Sequence, residues 1–293
     1  MRPRDFYELL TKQTWLDGIA DVVQPAVQGA FKGKAPRRVK DALNGTWLGH
    51  PLHPVLTDVP IGAWTVTLLL DAMDSVEDSK GLRRASDAAL LLGLAGAAGA
   101  AVTGLTDWSD TDARPRRTGM AHALLNIGAT LLFTASYFSR RAGNRAAGKA
   151  LALAGYGIAS ASAFIGGELV SHEQIGVDHS SGKELPEKFT PVLADGELRE
   201  GQLKRVDYKG MPILLVRRNG QVYALAETCA HLGGPLAEGK LDGDCVVCPW
   251  HGSKFDLATG DVVQGPSAFP QPALRTRLRE GQIEIGPPPE PQR

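Results

Sequence analysis

The chain has 293 residues, 43% of them apolar, and its 32 basic residues balance 32 acidic ones. That length predicts about two domains, and a net charge of zero excludes nucleic-acid binding through bulk charge. Three cysteines exclude a disulfide framework, and nothing in the composition implies an oxidising compartment.

Residues 1–48 read as an amphipathic arm. Its stretch TWLDGIADVVQPAVQGAFKGK alternates apolar and polar positions at helical spacing and ends in basic residues, which suits a helix lying on a membrane surface or packed on the protein. Residues 1–41 lack the basic-then-apolar order of a signal peptide, so the N-terminus is expected to be retained.

Over residues 49–171 the composition turns to Leu, Ala, Gly and Ile, and four apolar segments, roughly 55–74, 88–106, 120–138 and 150–168, predict a bundle of four transmembrane helices. The second, AALLLGLAGAAGAAVTGLT, carries no charge and at 1.5 Å per residue suffices to cross a ~30 Å hydrocarbon core. The first is the weakest, because Asp58 and Asp71 bracket it. A soluble four-helix bundle would need charged faces that the second and fourth segments lack, whereas their small residues suit close packing in lipid. Ile61-Gly62-Ala63 recurs as Ile127-Gly128-Ala129, and Leu94-Ala95-Gly96 as Leu153-Ala154-Gly155, the trace of a repeated hairpin. An even number of spans puts both chain ends on one side. Eleven basic residues there against seven opposite predict a multi-pass protein of the cell membrane with its N-terminus and C-terminal half in the cytoplasm.

A polar stretch at 172–188 reads as a linker. Beyond it, MPILLV and QVYAL flank Asn219-Gly220, CVV follows Asp242-Gly243, and IEI follows Glu280-Gly281. Those turn signals predict a small all-β domain over 189–287, followed by a tail at 288–293.

Within the β domain, CAHLGGPL begins at Cys229 and CPWHGSKF at Cys248, giving one cysteine and one histidine in each of two loops: Cys229, His231, Cys248 and His251. Two thiolates and two imidazoles are a metal-ligand set, and by count alone a structural zinc would accept them. Each pair instead follows a strand, with G-G-P-L after the first and G-S-x-F-D then T-G after the second, and no C-x-x-C knuckle precedes a helix. These motifs, with the following DLATG and QGP, resemble the Rieske iron–sulfur family over about residues 189–287. The resemblance implies a [2Fe–2S] cluster with Cys229 and Cys248 on one iron and His231 and His251 on the other, the imidazoles forming the exposed edge and raising the potential. It also implies the ferredoxin type that feeds oxygenases. Gly234 and Trp250 stand where Rieske proteins of cytochrome bc complexes carry a disulfide, and Phe255 replaces a tyrosine whose hydroxyl would reach the cluster, although Ser253 is kept. Fewer hydrogen bonds to sulfur predict a lower potential. Cys245 reads as a packed thiol.

In the membrane half, GTWLGHPLHPVLTDVPIGAW resembles an uncharacterised bacterial family of four-helix membrane domains sometimes fused to Rieske domains. The topology gathers His50, His53, Asp58, Asp107, His122, Asn126, Glu168 and His172 at one membrane face. Polar groups at that depth mark function by default, although helix caps and loop hydrogen bonds account for single members. His53, His122 and His172 are the candidates for ligating a haem b or contacting a quinone. The expected activity is single-electron exchange with a partner protein, a reductase, an oxygenase or a cytochrome, by a membrane-anchored iron–sulfur protein. The alternative is the anchored ferredoxin subunit of an oxygenase or of a quinone-linked oxidoreductase. The chain shows neither a 2-His-1-carboxylate domain nor a nucleotide fingerprint of its own. A zinc-stabilised scaffold is the reading left if iron is absent.

Overall fold

The computed structural model describes residues 3–289, so residues 290–293 of the expected tail and the first two residues of the arm lie outside the described residues. Among the described residues, seven α-helices precede eleven strands: α1 (Pro3–Thr11), α2 (Trp15–Ala30), α3 (Lys34–Leu43), α4 (Leu52–Glu77), α5 (Lys80–Trp108), α6 (Ala113–Arg141) and α7 (Arg145–Ser171), then β1 (Thr190–Ala194) to β11 (Gln282–Ile285). They form two compact units, one of Met1–Pro36 with Leu52–Ile175 and one of Arg37–Pro51 with Gly176–Arg293. The arm is thereby divided, its residues from Arg37 onward joining the β unit.

In the first unit, α4 to α7 have 26, 29, 29 and 27 residues and are long and apolar enough to cross a membrane. Each extends beyond its apolar segment at both ends. Leu69, Leu92, Leu131 and Leu153 point outward, as a lipid-facing surface requires. Ser79 starts α5 by accepting from the Leu82 N–H, and Asn144 starts α7 by accepting from the Ala147 N–H, which closes each hairpin turn with a helix cap. Helix α4 begins at Leu52, so Asp58 lies in its second turn as an exposed residue and not at the N-cap that the following Val-Pro suggests.

Hairpins α4–α5 and α6–α7 are built alike. Trp64 on α4 stacks on Phe133 on α6 with ring centroids 4.0 Å apart, and each ring lies against a glycine of its own hairpin, Gly93 and Gly155. His53 and His122 match in the same way: Nδ1 lies 2.8 Å from the Ala100 carbonyl in one hairpin and 2.9 Å from the Ser162 carbonyl in the other. Their ring edges fill the space that a side chain at Gly104 or Gly166 would need. Asp71 and Arg140 are a third matched pair, 69 positions apart like the others, while the second helices of the hairpins correspond at 62, as Arg83 and Arg145 do. The tripeptides seen in the sequence point to this repeat in a different register, because the equivalence is set by packing across the hairpins and not by residue identity.

The second unit holds three antiparallel sheets, ordered β1-β11-β10, β2-β3-β4-β9 and β5-β6-β7-β8. Strands β3 (Met211–Arg218) and β4 (Gln221–Ala226) are apolar enough to be buried on both faces, and Ile213, Leu215 and Ala224 enter one core while Leu214, Val216 and Leu225 enter another. That second core continues through Leu236, Val246, Phe255 and Leu257 to Cys229 and Cys248. The two sulfurs thus sit on the packed floor of the β5–β8 meander, whose strands are β5 (Lys240–Asp242), β6 (Cys245–Val247), β7 (Lys254–Asp256) and β8 (Val262–Gln264).

Candidate metal centre

Two loops of the same construction carry the Cys229–His231 and Cys248–His251 pairs. After β4, the Cys229 N–H donates to the Gly234 carbonyl at 2.9 Å and the Gly233 N–H to the Cys229 carbonyl at 2.9 Å. After β6, the Cys248 N–H donates to the Ser253 carbonyl at 2.8 Å and the Gly252 N–H to the Cys248 carbonyl at 3.1 Å. Closing such a turn requires a left-handed residue, supplied by Gly233 at φ +77° and Gly252 at φ +75°. Each turn aims backbone donors at its own sulfur: the N–H groups of His231 and Leu232 at Cys229, and those of Trp250 and His251 at Cys248.

The loops converge. The Cys229 S–H donates to the Cys248 sulfur, which with burial holds the Cys229 thiol well above its ordinary range. The same bond brings the Cys248 thiol down to about 7, helped by the Trp250 and His251 amides against burial and the Glu227 charge. Two thiols that share one proton in a packed site cannot both ionise unaided, and a cation between them removes that obstacle. The His231 and His251 rings face each other with centroids 5.1 Å apart at 87°. Burial, then the neighbouring His251, Lys40, His179 and Arg37, keep the His231 imidazole neutral, the form that ligates metal. Its Nδ1 is buried without a hydrogen-bond partner. An orphaned ring nitrogen beside a pair of convergent sulfurs fits a metal group and is costly without one.

Supporting residues fix both loops. Buried Gln271 donates to the carbonyls of Ala226 (2.7 Å) and Thr228 (2.6 Å) and accepts the Ala230 N–H at 3.0 Å, stapling the first loop at three points. Ser253 accepts the Ser267 N–H at 3.0 Å, which leaves its own proton to donate. Asp256, in the DLATG motif, accepts the N–H groups of Ala258 and Thr259 at 2.9 Å and shapes the turn after β7. Trp250 packs over Gly234, and a Cβ there would meet the Cys248 sulfur at 2.9 Å. Phe255 is fully buried among the same side chains. Cys245 is part-buried on β6, with its thiol pushed up by burial.

Sequence reasoning did not identify Gln271 or Arg37 as parts of this site. Gln271 lies outside the quoted motifs, and Arg37 lies in the arm. Its Nη2 donates to the His251 carbonyl at 2.9 Å and to the Gly265 carbonyl.

In the helical unit, His53 and His122 meet with ring centroids 6.4 Å apart at 90°. A carbonyl only accepts, so each Nδ1 carries the proton and each Nε2 a lone pair, which on His122 takes the Asn126 amide at 3.0 Å. His172 is not part of this pair. It is exposed at the end of α7, lies edge-on to Tyr7 at 5.9 Å, and lines a cavity of about 690 Å3 with Tyr7, Arg114 and Glu168. His50 belongs to the other unit, edge-on to Phe269.

Among protein families, the Rieske [2Fe-2S] domain matches residues 188–275, and the predicted membrane protein family DUF2231 matches residues 49–179. Ferredoxin CarAc of Metapseudomonas resinovorans is 36% identical over 95 residues, 32% of this chain and 89% of that protein. The ferredoxin component of biphenyl 2,3-dioxygenase from Rhodococcus jostii is 33% identical over 97 residues, 33% of this chain and 91% of that protein. Among solved structures, a complex of reduced oxygenase and oxidized ferredoxin in carbazole 1,9a-dioxygenase aligns at 30% identity with a TM-score of 0.34, covering 36% of this chain and 99% of that chain. The chain therefore belongs to the Rieske [2Fe–2S] family through its C-terminal part, a ferredoxin-type domain with a [2Fe–2S] cofactor, joined to a membrane domain of the DUF2231 family.

Proposed function

We propose that this protein is a membrane-anchored one-electron carrier, with Cys229 and Cys248 on one iron and His231 and His251 on the other. The observation that carries the reading is the meeting of two like-built loops that bring the buried Cys229 and Cys248 into one packed cluster beside the orphaned Nδ1 of His231. The cluster supplies a reversible one-electron couple. The chain's own groups hold it: backbone amides neutralise the thiolates, Gln271 and Ser253 keep the loops in place, and the packed floor excludes water. Helices α4 to α7 anchor the domain, with both chain ends assigned to the cytoplasm. A protein redox partner, such as the oxygenase served by the related ferredoxin components, would exchange electrons with it, so the chain would act as the anchored ferredoxin subunit of an oxygenase or of a quinone-linked oxidoreductase. The test is the EPR spectrum of the reduced, purified protein. Replacing His231 or Cys248 by alanine is expected to abolish a Rieske signal while the helical domain still inserts, and a normal signal in either variant would refute the ligand set.

A second redox site in the membrane domain is supported by the His53–His122 pair, whose Nδ1 protons are committed to carbonyls, so that His53 presents Nε2 to a ligand and His122 would do so on giving up the Asn126 amide. A haem b or a quinone is the candidate occupant. His172 stands apart from this pair, against Tyr7. A visible spectrum of protein reconstituted with haem supply decides: a Soret band lost in His53→Ala supports haem, and its absence from the parent protein removes haem.

A further inference from the structure

The arm residues that join the β unit lie on the ligand loops. Arg37, on α3, donates through Nη2 to the carbonyls of His251 and Gly265, and would touch any side chain placed at Gly252. One turn on, Asp41 takes the Gly265 N–H, and a Cβ at Gly265 would meet both Asp41 and Thr46 at 2.8 Å. Thr46 donates to the Ser267 carbonyl at 3.5 Å, and His50 lies edge-on to Phe269. Lys40, between Arg37 and Asp41, is buried to 4% exposure, unusual for a lysine. From the other side His179 donates its N–H to the Ala230 carbonyl at 3.1 Å and sets its ring beside Gly233.

The charges around the site are therefore unequal. Arg37 reaches the His251 loop through its guanidinium, Lys40 is buried on the same helix, and the His179 ring lies beside Gly233 of the first loop. Asp41 faces both Arg37, at 3.5 Å, and Lys40, and it offsets the two cations only in part, because burial raises its carboxyl toward the neutral form. A reduced cluster carries one more negative charge than an oxidised one, so fixed cations nearby stabilise the reduced form and raise the potential.

We propose that the arm helix carrying Arg37 and Lys40 is a working part of the cluster site, which raises the reduction potential through two fixed cations on the histidine side and holds the second ligand loop through the Arg37 fork. This rests on the reading of Cys229, His231, Cys248 and His251 as cluster ligands. It makes a segment outside the Rieske family match responsible for a property of the cluster. It also offsets the lowering expected from Phe255, where a hydroxyl to sulfur is missing.

The experiment is an EPR-monitored redox titration of the full-length protein in detergent, at fixed pH and salt. The midpoint potential is expected to fall in Lys40→Gln, to fall in Arg37→Gln, and to fall further in the double variant. Arg205→Gln, an exposed cation on β2 (Leu203–Tyr208) of the same domain, is expected to leave it unchanged. Arg37→Lys keeps the charge without the fork, so it should hold most of the potential while amide exchange at Gly252, Ser253 and Ser267 quickens. Should Arg37→Gln fail to assemble a cluster, Lys40→Gln and Arg37→Lys carry the comparison. An unchanged or higher potential in Lys40→Gln with the cluster assembled overturns the proposal. A parent protein without a Rieske signal overturns the ligand reading instead, so the two failures are distinguishable.

Discussion

Asp71 on α4 and Arg140 on α6 occupy matching positions of the two hairpins and bind each other as a bidentate pair, Nη1 to Oδ1 at 3.0 Å and Nη2 to Oδ2 at 2.5 Å. The Arg140 side chain has no exposed surface and that of Asp71 has 6%. Ser86 joins them through bonds of 2.7 and 2.8 Å, while Asp87, Asp74, Arg145 and Lys149 extend the network. A buried ion pair adds little beyond a well-packed apolar pair, but losing one partner strands the other charge. Arg140→Met should therefore destabilise the helical domain by roughly 3–5 kcal/mol, and Asp71→Leu with Arg140→Met should recover most of that loss. Unfolding of the three proteins in detergent checks this, and additive losses in the double variant would contradict it.

Gly234 has no room for a side chain, since a Cβ would lie 2.9 Å from the Cys248 sulfur and 3.1 Å from the Trp250 ring. Gly234→Ala is expected to lose most of the cluster, measured as iron and acid-labile sulfide per chain. Gly196→Ala, where a Cβ meets nothing within 4 Å, should keep full occupancy. Equal occupancy in the two variants would mean that the ligand loops tolerate separation.

Both chain ends are expected in the cytoplasm, because four spans return the chain to its starting side and basic residues favour that side. Reporter fusions at the termini must agree for an even count of spans. Two periplasmic reports would keep the bundle and move the cluster to the other compartment, whereas opposite reports would remove a span.

Helix α2 docks through Asp17, which takes two bonds from Arg117, at 3.0 and 2.5 Å. Those bonds hold the Asp17 carboxyl below the usual range, against a burial effect that raises it. A depressed folded value means that the contribution is complete above the unfolded value of about 4 and is lost as pH falls through the folded one. Amide exchange of α2 should accordingly quicken below pH ~4, and Asp17→Asn should show fast exchange already at neutral pH. A step of the same size in the variant would assign it to another carboxylate.

The two loops that carry Cys229, His231, Cys248 and His251 were legible because the C-x-H and C-x-x-H spacings recur with the same glycine and turn chemistry, a local constraint that short-range sequence carries in full. The four membrane helices were legible for a similar reason: a bilayer demands long apolar runs whatever they pack against. Helix ends were less so, since the polar residues that finish α4 and α6 are buried by each other, as Asp71 and Arg140 are, and read as interruptions when seen singly. Which histidines meet was decided by the fold alone. His53, His122 and His172 look equivalent along the chain, yet hairpin packing brings the first two to 6.4 Å and leaves the third exposed beside Tyr7. Gln271 and Arg37 had no signal, because a hydrogen bond from Gln271 to Ala226 spans 45 positions and one from Arg37 to His251 spans 214. Spacing announces contacts within a turn; contacts closed by long chain excursions depend on how sheets and helices pack, and only the tertiary structure decides them.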